Sequence, residues 1–370
     1  MKIYPACKGS VIIVDYTGAC IKAVDFFENN IYIEFKKDII DKRSLPEPGR
    51  NVQICLYPNS QAEQEWRTNM TTPQCFISLE NALCSLFGEG TEIEQSCRIS
   101  GGDINEAYGL TLTDGKRIFM KSNTKENLPL FTAEAVGLNA IARTKAIGTP
   151  RILGVGTDEE RGGYSFLLLE FISGKNRGRN YWEDFAVQLA GMHRASTDGL
   201  VSGGTYGFGG DNYIGRHRQV NTGGESWISF FRDCRLEPQF QDAVRYFDRE
   251  DRKRIGCFLD HMGEILVEPE YPSLLHGDLW AGNVITGNDG KAWLIDPAVY
   301  VGHAEADLAM TELFGGFLPA FYDAYQEAAP LQPGYERRRD VYNLYHLLNH
   351  LNMFGRMYLP EVKRIVGKFS

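Results

Sequence analysis

The segment that decides the fold reads HGDLWAGN and spans residues 276–283. Within it, Asp278 precedes Asn283 by five residues. Two short β-like runs follow, joined by the turn at 287–290, and the second run ends at Asp296. Such a pattern predicts a β-hairpin. The same five-residue spacing separates the base Asp from a metal-binding Asn in the catalytic loop of kinases.

Phosphoryl transfer requires a carboxylate beside the attacking hydroxyl and oxygen ligands for magnesium. A hairpin returns the chain to its starting point, so we expect Asp296 on the same side of a cleft as Asp278 and Asn283. The alternative is that Asp278 caps a helix and Asp296 begins a turn, because Asp and Asn are common in both positions. The spacing and the hairpin together favour Asp278 as catalytic base and Asn283 and Asp296 as Mg²⁺ ligands.

A lysine near the phosphates of ATP is also expected, and Lys121 ends a predicted strand that begins at Arg117. Glu134 lies in the predicted helix 128–145, on the face that carries Leu130, Phe131, Leu138 and Ile141. A buried carboxylate is costly unless it is paired. The pattern therefore predicts a Lys121–Glu134 ion pair, although Glu134 at the edge of that face could reach water instead.

Two further stretches are candidates for contacts with the nucleotide. Gly101 and Gly102 lie between two β-like runs, and paired glycines allow a backbone to approach phosphates closely. Residues 165–172 predict a strand that leads from one lobe to the other. The backbone between Glu170 and Ile172 is therefore a candidate for binding the edge of the adenine.

The order of predicted elements indicates an α+β chain with three parts. Residues 1–72 predict a small β-rich accessory domain of unknown role. Residues 76–172 predict a nucleotide-binding lobe with one long helix, and residues 173–370 a mainly helical lobe that carries the catalytic loop. With the catalytic segment, this order predicts a protein-kinase-like bilobal fold preceded by a small all-β domain.

The composition is that of a globular protein with an ample core, since 43% of the 370 residues are hydrophobic and 24% are charged. A net charge of −9 argues against a nucleic-acid-binding surface. None of the 8 cysteines forms a C-x-x-C pair, and no run of 18 apolar residues is present. We therefore expect a cytoplasmic protein without membrane association; the sequence does not indicate its oligomeric state.

The catalytic segment, with Trp280 as its distinguishing residue, resembles that of the fructosamine kinase/ketosamine-3-kinase family. The resemblance covers roughly residues 76–365 and is most specific over residues 296–308. Other segments match in the same order: 100–108, 119–123, 132–138, 189–194, 206–215 and 219–221 with Trp227.

The resemblance implies an enzyme that phosphorylates the 3-hydroxyl of ketosamines, the adducts of sugars with amines that include protein lysines. Breakdown of the unstable product would release the free amine, which is deglycation or protein repair. Asp278 would accept the hydroxyl proton, Asn283 and Asp296 would hold Mg²⁺, and Lys121, oriented by Glu134, would contact ATP. Gly101 and Gly102 would form the phosphate loop.

The resemblance also makes Trp280 and His276 candidate substrate contacts, although Trp280 could equally be a core residue. Asp307 could accept backbone N–H bonds from the catalytic loop, or could be a carboxylate stabilised by the first turn of its helix. Two other functions stay open. The chain could be a kinase for an aminoglycoside, choline or a simple sugar, or a nucleotide-binding pseudokinase scaffold.

Overall fold

The computed structural model describes residues 73–100 and 104–370, together with four two-residue strands near the amino terminus. The chain divides into two compact units, Met1–Glu65 and Trp66–Ser370. In the first unit, two pairs of antiparallel strands are described: β1 (Asp15–Tyr16) with β2 (Ala19–Cys20), and β3 (Phe26–Phe27) with β4 (Asn30–Ile31). The rest of the predicted all-β domain, residues 1–72, lies outside the described residues.

The second unit begins with a six-stranded sheet in the order β5-β9-β10-β8-β7-β6. Neighbouring strands are antiparallel, except that β5 runs parallel to β9. The strands are β5 (Cys75–Phe76), β6 (Ile93–Ile99), β7 (Glu106–Leu112), β8 (Arg117–Thr124), β9 (Ile152–Asp158) and β10 (Tyr164–Glu170). Two helices accompany the sheet, α1 (Leu79–Phe87) and α2 (Leu128–Thr144).

The side chains of β8 lie alternately on the two faces of the sheet, as successive side chains of a strand do. Ile118 and Met120 lie in a buried cluster with residues of α1, whereas Phe119 packs against a second cluster that includes residues of α2. The α2 helix ends at Lys145, which adopts a left-handed conformation with φ 56°. The sheet thus holds Lys121 on the face that α2 covers.

The remainder of the unit is mainly helical. Its helices are α3 (Tyr181–His193), α4 (Trp227–Phe231), α5 (Glu237–Asp242), α6 (Arg249–Asp260), α7 (Glu305–Leu313), α8 (Pro319–Ala328), α9 (Tyr335–Phe354) and α10 (Leu359–Phe369). A π-helical turn, Arg232–Leu236, links α4 to α5. The short 3-10 helices are Lys125–Asn127, Glu160–Gly162, Val244–Tyr246, Met262–Glu264, Ala281–Asn283 and Arg356–Tyr358.

Three two-stranded sheets lie among these helices, and their strands are β11 (Asn212–Ile214) with β12 (His217–Gln219), β13 (Ser273–Leu275) with β16 (Tyr300–Gly302), and β14 (Val284–Thr286) with β15 (Ala292–Leu294). The last pair is the predicted hairpin. A large buried core joins the helices to these sheets. Among the helices described, none has the length and apolar composition needed to cross a membrane.

The predicted order of a β-rich lobe with one long helix, followed by a mainly helical lobe that contains the β14–β15 hairpin, is confirmed. The helical lobe also contains a second hairpin, β11–β12, which was not predicted. The strand predicted at 165–172 ends at Glu170, so Ile172 lies beyond the sheet. The β-like run before Gly101 is the strand Ile93–Ile99. Strand ends are set by pairing with neighbours, which local composition does not encode.

Candidate active site

The catalytic loop between β13 and β14 is held closed by backbone hydrogen bonds. Ile295 donates its N–H to the carbonyl of Asn283 at 3.0 Å, and Ala298 donates to the carbonyl of His276 at 2.8 Å. The Asn283 amide nitrogen donates to the backbone carbonyl of Asp278 at 2.8 Å and to its carboxylate at 3.0 Å. The hairpin therefore brings Asp296 back beside the loop that carries Asp278 and Asn283.

Asp307, in the first turn of α7, clamps the start of this loop. Its two carboxylate oxygens accept the backbone N–H groups of His276 at 2.7 Å and Gly277 at 2.9 Å. Buried His193 contacts the same carboxylate at 3.2 Å. Burial acts to raise the pKa of Asp307, but the contacts with His193, His276 and Gly277 outweigh it and lower that pKa. Asp307 therefore braces the catalytic loop, the first of the two roles considered for it.

Gly277 is required at its position by both conformation and space. Its φ of +79° lies in the left-handed region, which favours glycine. An added Cβ would lie 2.0 Å from the carbonyl oxygen of Ala298. The loop can therefore approach the chain after Asp296 only with glycine here.

The predicted ion pair between Lys121 and Glu134 is present, with a distance of 2.7 Å from Nζ to Oε1. The two side chains are only 8% and 12% exposed, so Glu134 does not reach water as the alternative required. Lys121 also contacts the carboxylate of Asp296. Burial acts to lower the pKa of Lys121, but the two carboxylates raise it above its ordinary value. Lys121 thus joins the sheet and α2 to the catalytic hairpin.

Asp296 has a left-handed backbone conformation, with φ 55°. Among non-glycine residues with described geometry, only Lys145 shares a positive φ, and it ends a helix. Such a conformation costs roughly 1–3 kcal/mol and persists where the surroundings enforce it, often at functional sites. The side chain of Asp296 is 43% exposed. The strained backbone thus presents a carboxylate to solvent at the end of the hairpin.

A cavity of about 370 Å³ lies between the sheet with α2 and the helical lobe. Its wall includes the groups introduced above: Lys121, Glu134, Asp278, Asn283 and Asp296. Burial raises the pKa of Asp278 to about 7, with further contributions from the charges of Asp296 and Asp307, while the Asn283 bond opposes the shift. The cavity wall thus combines the ammonium group of Lys121 with the side-chain oxygens of Asn283 and Asp296. It also includes the carboxyl group of Asp278, whose pKa lies near neutral pH.

The family model described as fructosamine kinase matches residues 76–369. The chain belongs to the fructosamine kinase family. It is 35% identical over 305 residues to a probable ketoamine kinase from Synechocystis sp., covering 80% of this chain and 97% of the relative. It is 37% identical over 288 residues to the chloroplastic protein-ribulosamine 3-kinase of Arabidopsis thaliana, covering 76% of this chain and 84% of the relative.

Solved structures agree with this family. A Haemophilus somnus protein provisionally named fructosamine-3-kinase has 29% identity and a TM-score of 0.68, covering 79% of this chain and 96% of that one. An aminoglycoside phosphotransferase with 15% identity and a TM-score of 0.51, covering 78% and 96%, shares the fold. The predicted protein-kinase-like fold is confirmed. The protein is a phosphotransferase with an alcohol group as acceptor.

Trp280 lies at the cavity and is 40% exposed, so it is not a core tryptophan. Its ring packs edge-on against Phe314, with 6.4 Å between ring centroids. The aromatic wall continues through His350, Phe354 and Tyr358, which all line the cavity. Sequence reasoning missed these residues. The four-residue spacing of His350 and Phe354 was the available signal, since it places them on one face of α9, whereas Tyr358 follows the end of that helix.

The structure does not bring His276 to the cavity, which corrects the prediction of a substrate contact. The imidazole is fully buried, where Nε2 lies 2.9 Å from the carbonyl of Ile295 and Nδ1 accepts the N–H of Asp278 at 3.3 Å. Burial also lowers its pKa. The ring therefore supports the loop from behind.

The remaining predicted nucleotide contacts lie elsewhere. Glu170 and Ile172 are outside the cavity wall, and the Glu170 carboxylate accepts the N–H of Arg151 at 3.3 Å. Their assignment to adenine binding stays a prediction. Gly101 and Gly102 lie outside the described residues.

Proposed function

We propose that this protein transfers the γ-phosphoryl group of ATP to the 3-hydroxyl of a ketoamine. One observation carries the proposal: Asp278, Asn283, Asp296 and Lys121 share the wall of a single cavity between the two lobes. Kinases of this fold use ATP as the phosphoryl donor, and their catalysis consists of positioning and charge stabilisation. The names of the ketoamine and ribulosamine kinase relatives support a ketoamine as acceptor.

Asp278 would take the proton of the attacking hydroxyl. One of its carboxylate oxygens accepts the hydrogen bond from Asn283, which leaves Oδ1 without a hydrogen bond in the described part of the chain. A general base works best when its pKa lies near the operating pH, and the pKa of Asp278 is raised to about 7. Asp278 therefore combines the required basicity with an oxygen that lies 3.9 Å from Nδ1 of His346 and accepts no hydrogen bond from the described residues.

Asn283 and Asp296 would hold Mg²⁺. Both donor directions of the Asn283 amide go to Asp278, so its oxygen is left for another partner. Mg²⁺ usually binds one or two protein oxygens together with phosphates and water, rather than a full protein cage. Accordingly, the described residues contain no cluster of three or more His, Cys, Asp or Glu suited to a metal. The ion supplies charge neutralisation on the phosphates when it is bound.

Lys121 would contact the phosphates from the other side of the cleft, with Glu134 holding its ammonium group in place. We keep Gly101 and Gly102 as the proposed phosphate loop and the backbone from Glu170 to Ile172 as the proposed adenine contact. Trp280 would place its exposed ring against the C–H surface of the sugar. Breakdown of the 3-phosphorylated ketoamine would then free the amine, so the enzyme would act in deglycation.

An acceptor panel tests this function. The enzyme is incubated with ATP, Mg²⁺ and ribulose-lysine, fructose-lysine, choline or kanamycin, and ADP release is followed. We expect release with at least one ketoamine, a phosphate added to it by mass spectrometry, and no release with choline or kanamycin. Turnover of choline or kanamycin without turnover of either ketoamine would instead assign the chain to another class of small-molecule kinase.

A further inference from the structure

A second chamber, with a volume of about 370 Å³, opens beside the active-site cavity. The two share Ile104, Leu130 and Tyr213 in their walls. The other wall residues of the chamber are polar or lie at the start of α2: Asn123, Glu126, Asn127, Pro129 and Arg216. No role in the transfer reaction uses this chamber.

The chamber lies away from the end of the sheet where adenine is expected. On β10, Glu170 pairs with Ile118 of β8, three residues before Lys121, whereas Asn123 lies two residues after Lys121. Each strand residue advances about 3.3 Å, so the two positions lie on opposite sides of the lysine. A nucleotide whose adenine lies near Glu170 does not occupy the chamber. The chamber is therefore available to the acceptor.

The wall formed by the sheet is fixed by an asparagine network. Asn123 donates its side-chain amide to the carbonyl of Ile104 at 3.1 Å and to Asn105 at 2.7 Å. Its own amide oxygen accepts the side-chain amide of Asn127 at 2.9 Å. This side of the chamber is therefore rigid before any ligand binds.

The opposite wall comes from the β11–β12 hairpin, which buried amides anchor to the chain just after Asp296. Asn212 donates to the carbonyl of Val299 at 2.7 Å, and Gln219 donates to that of Ala298 at 2.9 Å. The hairpin tip presents Tyr213 and Arg216 to the chamber. Its position is therefore coupled to the catalytic hairpin.

The chamber holds two opposite charges that do not neutralise each other. Glu126 and Arg216 are both exposed. In residues 104–370, neither belongs to an ion pair, although both line the same small chamber. Between them and the active-site cavity lie the apolar or aromatic side chains of Ile104, Leu130 and Tyr213. An elongated ligand with a zwitterionic end and an apolar stem matches this arrangement.

We propose that the chamber binds the α-amino acid head of a free lysine glycated on its side-chain amine. The α-ammonium group would meet Glu126, the α-carboxylate would meet Arg216, and the methylene stem would pass Tyr213 toward Asp278. The assignment rests on the proposed ketoamine kinase function. It makes the favoured acceptor a free glycated amino acid rather than a lysine within a protein.

The test compares two forms of side-chain-ribulosylated lysine, one with free α-groups and one acetylated and amidated so that both α-charges are absent. We expect kcat/KM to be about fivefold to tenfold higher for the free form, since an exposed ion pair contributes at most about fivefold. Glu126→Gln and Arg216→Gln should each reduce that preference, and the double variant should remove it.

Glu160→Gln and Arg218→Gln are matched controls, because both residues are exposed, and Arg218 lies on the same hairpin but outside the chamber wall. They should keep the full preference. Equal kcat/KM for the two forms, or a preference that survives the double variant, would overturn the subsite while the kinase proposal stands. A preference for the capped form would assign the chamber to a peptide and also overturn it. Absence of phosphate on both forms would overturn the proposed function and the subsite with it.

Discussion

Asp278 and Glu134 are two acidic side chains at one cavity that differ in their partners. Burial acts to raise the pKa of both. Glu134 has the ammonium group of Lys121 at 2.7 Å, which opposes that shift. Asp278 has only the neutral amide of Asn283 as a hydrogen-bonding side-chain partner among the described residues. Burial outweighs that opposition, so the pKa of Glu134 is also raised, to about 7. The partners, rather than the pKa values, therefore suit Glu134 to holding a cation and Asp278 to exchanging a proton.

The raised pKa of Asp278 predicts a cost in stability. The ordinary value is 3.8 and the folded value is about 7, so the folded protein binds the extra proton between these two pH values. The free energy of unfolding contributed by Asp278 therefore falls as the pH rises from about 4 to about 7. Asp278→Asn removes this penalty. We expect the variant to be more stable than wild type by about 2 kcal/mol at pH 8.

Urea unfolding in EDTA, at pH 8 and at pH 4, measures this difference. The stabilisation should be present at pH 8 and absent at pH 4, where Asp278 of the wild type is also neutral. Asp323→Asn, an exposed acid on α8, should show no such dependence. An equal free energy of unfolding for wild type and Asp278→Asn at pH 8 would show that burial does not perturb Asp278.

At the scale of elements, sequence periodicity predicted the helices well, because their apolar faces are long and their ends carry clear signals. The helix predicted at 128–145 spans Leu128–Thr144 in the structure, and α9 spans Tyr335–Phe354 between Gly334 and Gly355. The four-residue spacing of His350 and Phe354 places both on one face of α9, but does not indicate that this face meets the cavity. Which face of a helix meets a ligand depends on packing against distant segments, so the contribution of His350 and Phe354 became visible only in three dimensions.

The α7 helix positions the catalytic loop through the two backbone N–H groups that Asp307 accepts. Loss of these hydrogen bonds should therefore lower kcat. Asp307→Asn keeps the shape but replaces one acceptor oxygen by a donor, which would face a backbone N–H of His276 or Gly277. A small displacement of a catalytic group can cost roughly a hundredfold in rate. We expect kcat to fall by about tenfold to a hundredfold, with the KM for ATP unchanged.

Steady-state kinetics of Asp307→Asn, with Glu312→Gln as a second variant, check this expectation. Glu312 lies on the same helix, but its carboxylate contacts Tyr335 and Arg339 of α9 instead of the catalytic loop. Its substitution should leave kcat near the wild-type value. If both variants lose kcat equally, α7 acts only as a scaffold and the clamp has no specific role.

In the second unit as a whole, the site is assembled from segments far apart in the chain. Lys121 and Glu134 come from the sheet and α2, whereas Asp278 and Asp296 come from the helical lobe. The sequence predicted each of these residues, because each belongs to a local pattern of fixed spacing. The contact of Lys121 with Asp296 was not predicted, since 175 residues separate the two and no local pattern links them.

We propose that residues 1–72 form an accessory domain separate from the kinase. Two observations support this boundary. The chain divides into compact units between Glu65 and Trp66, and the match to the fructosamine kinase family begins at residue 76.

If Asp278 activates a ketoamine hydroxyl beside bound ATP, its loss should prevent phosphorylation of the acceptor, which mass spectrometry detects. Wild type and Asp278→Asn are incubated with ATP, Mg²⁺ and ribulose-lysine, while ATP binding to each is measured by calorimetry. We predict one added phosphate with the wild type, and a rate at least about a hundredfold lower for the variant with ATP affinity retained. Phosphorylation by Asp278→Asn at the wild-type rate would show that Asp278 is not the catalytic base.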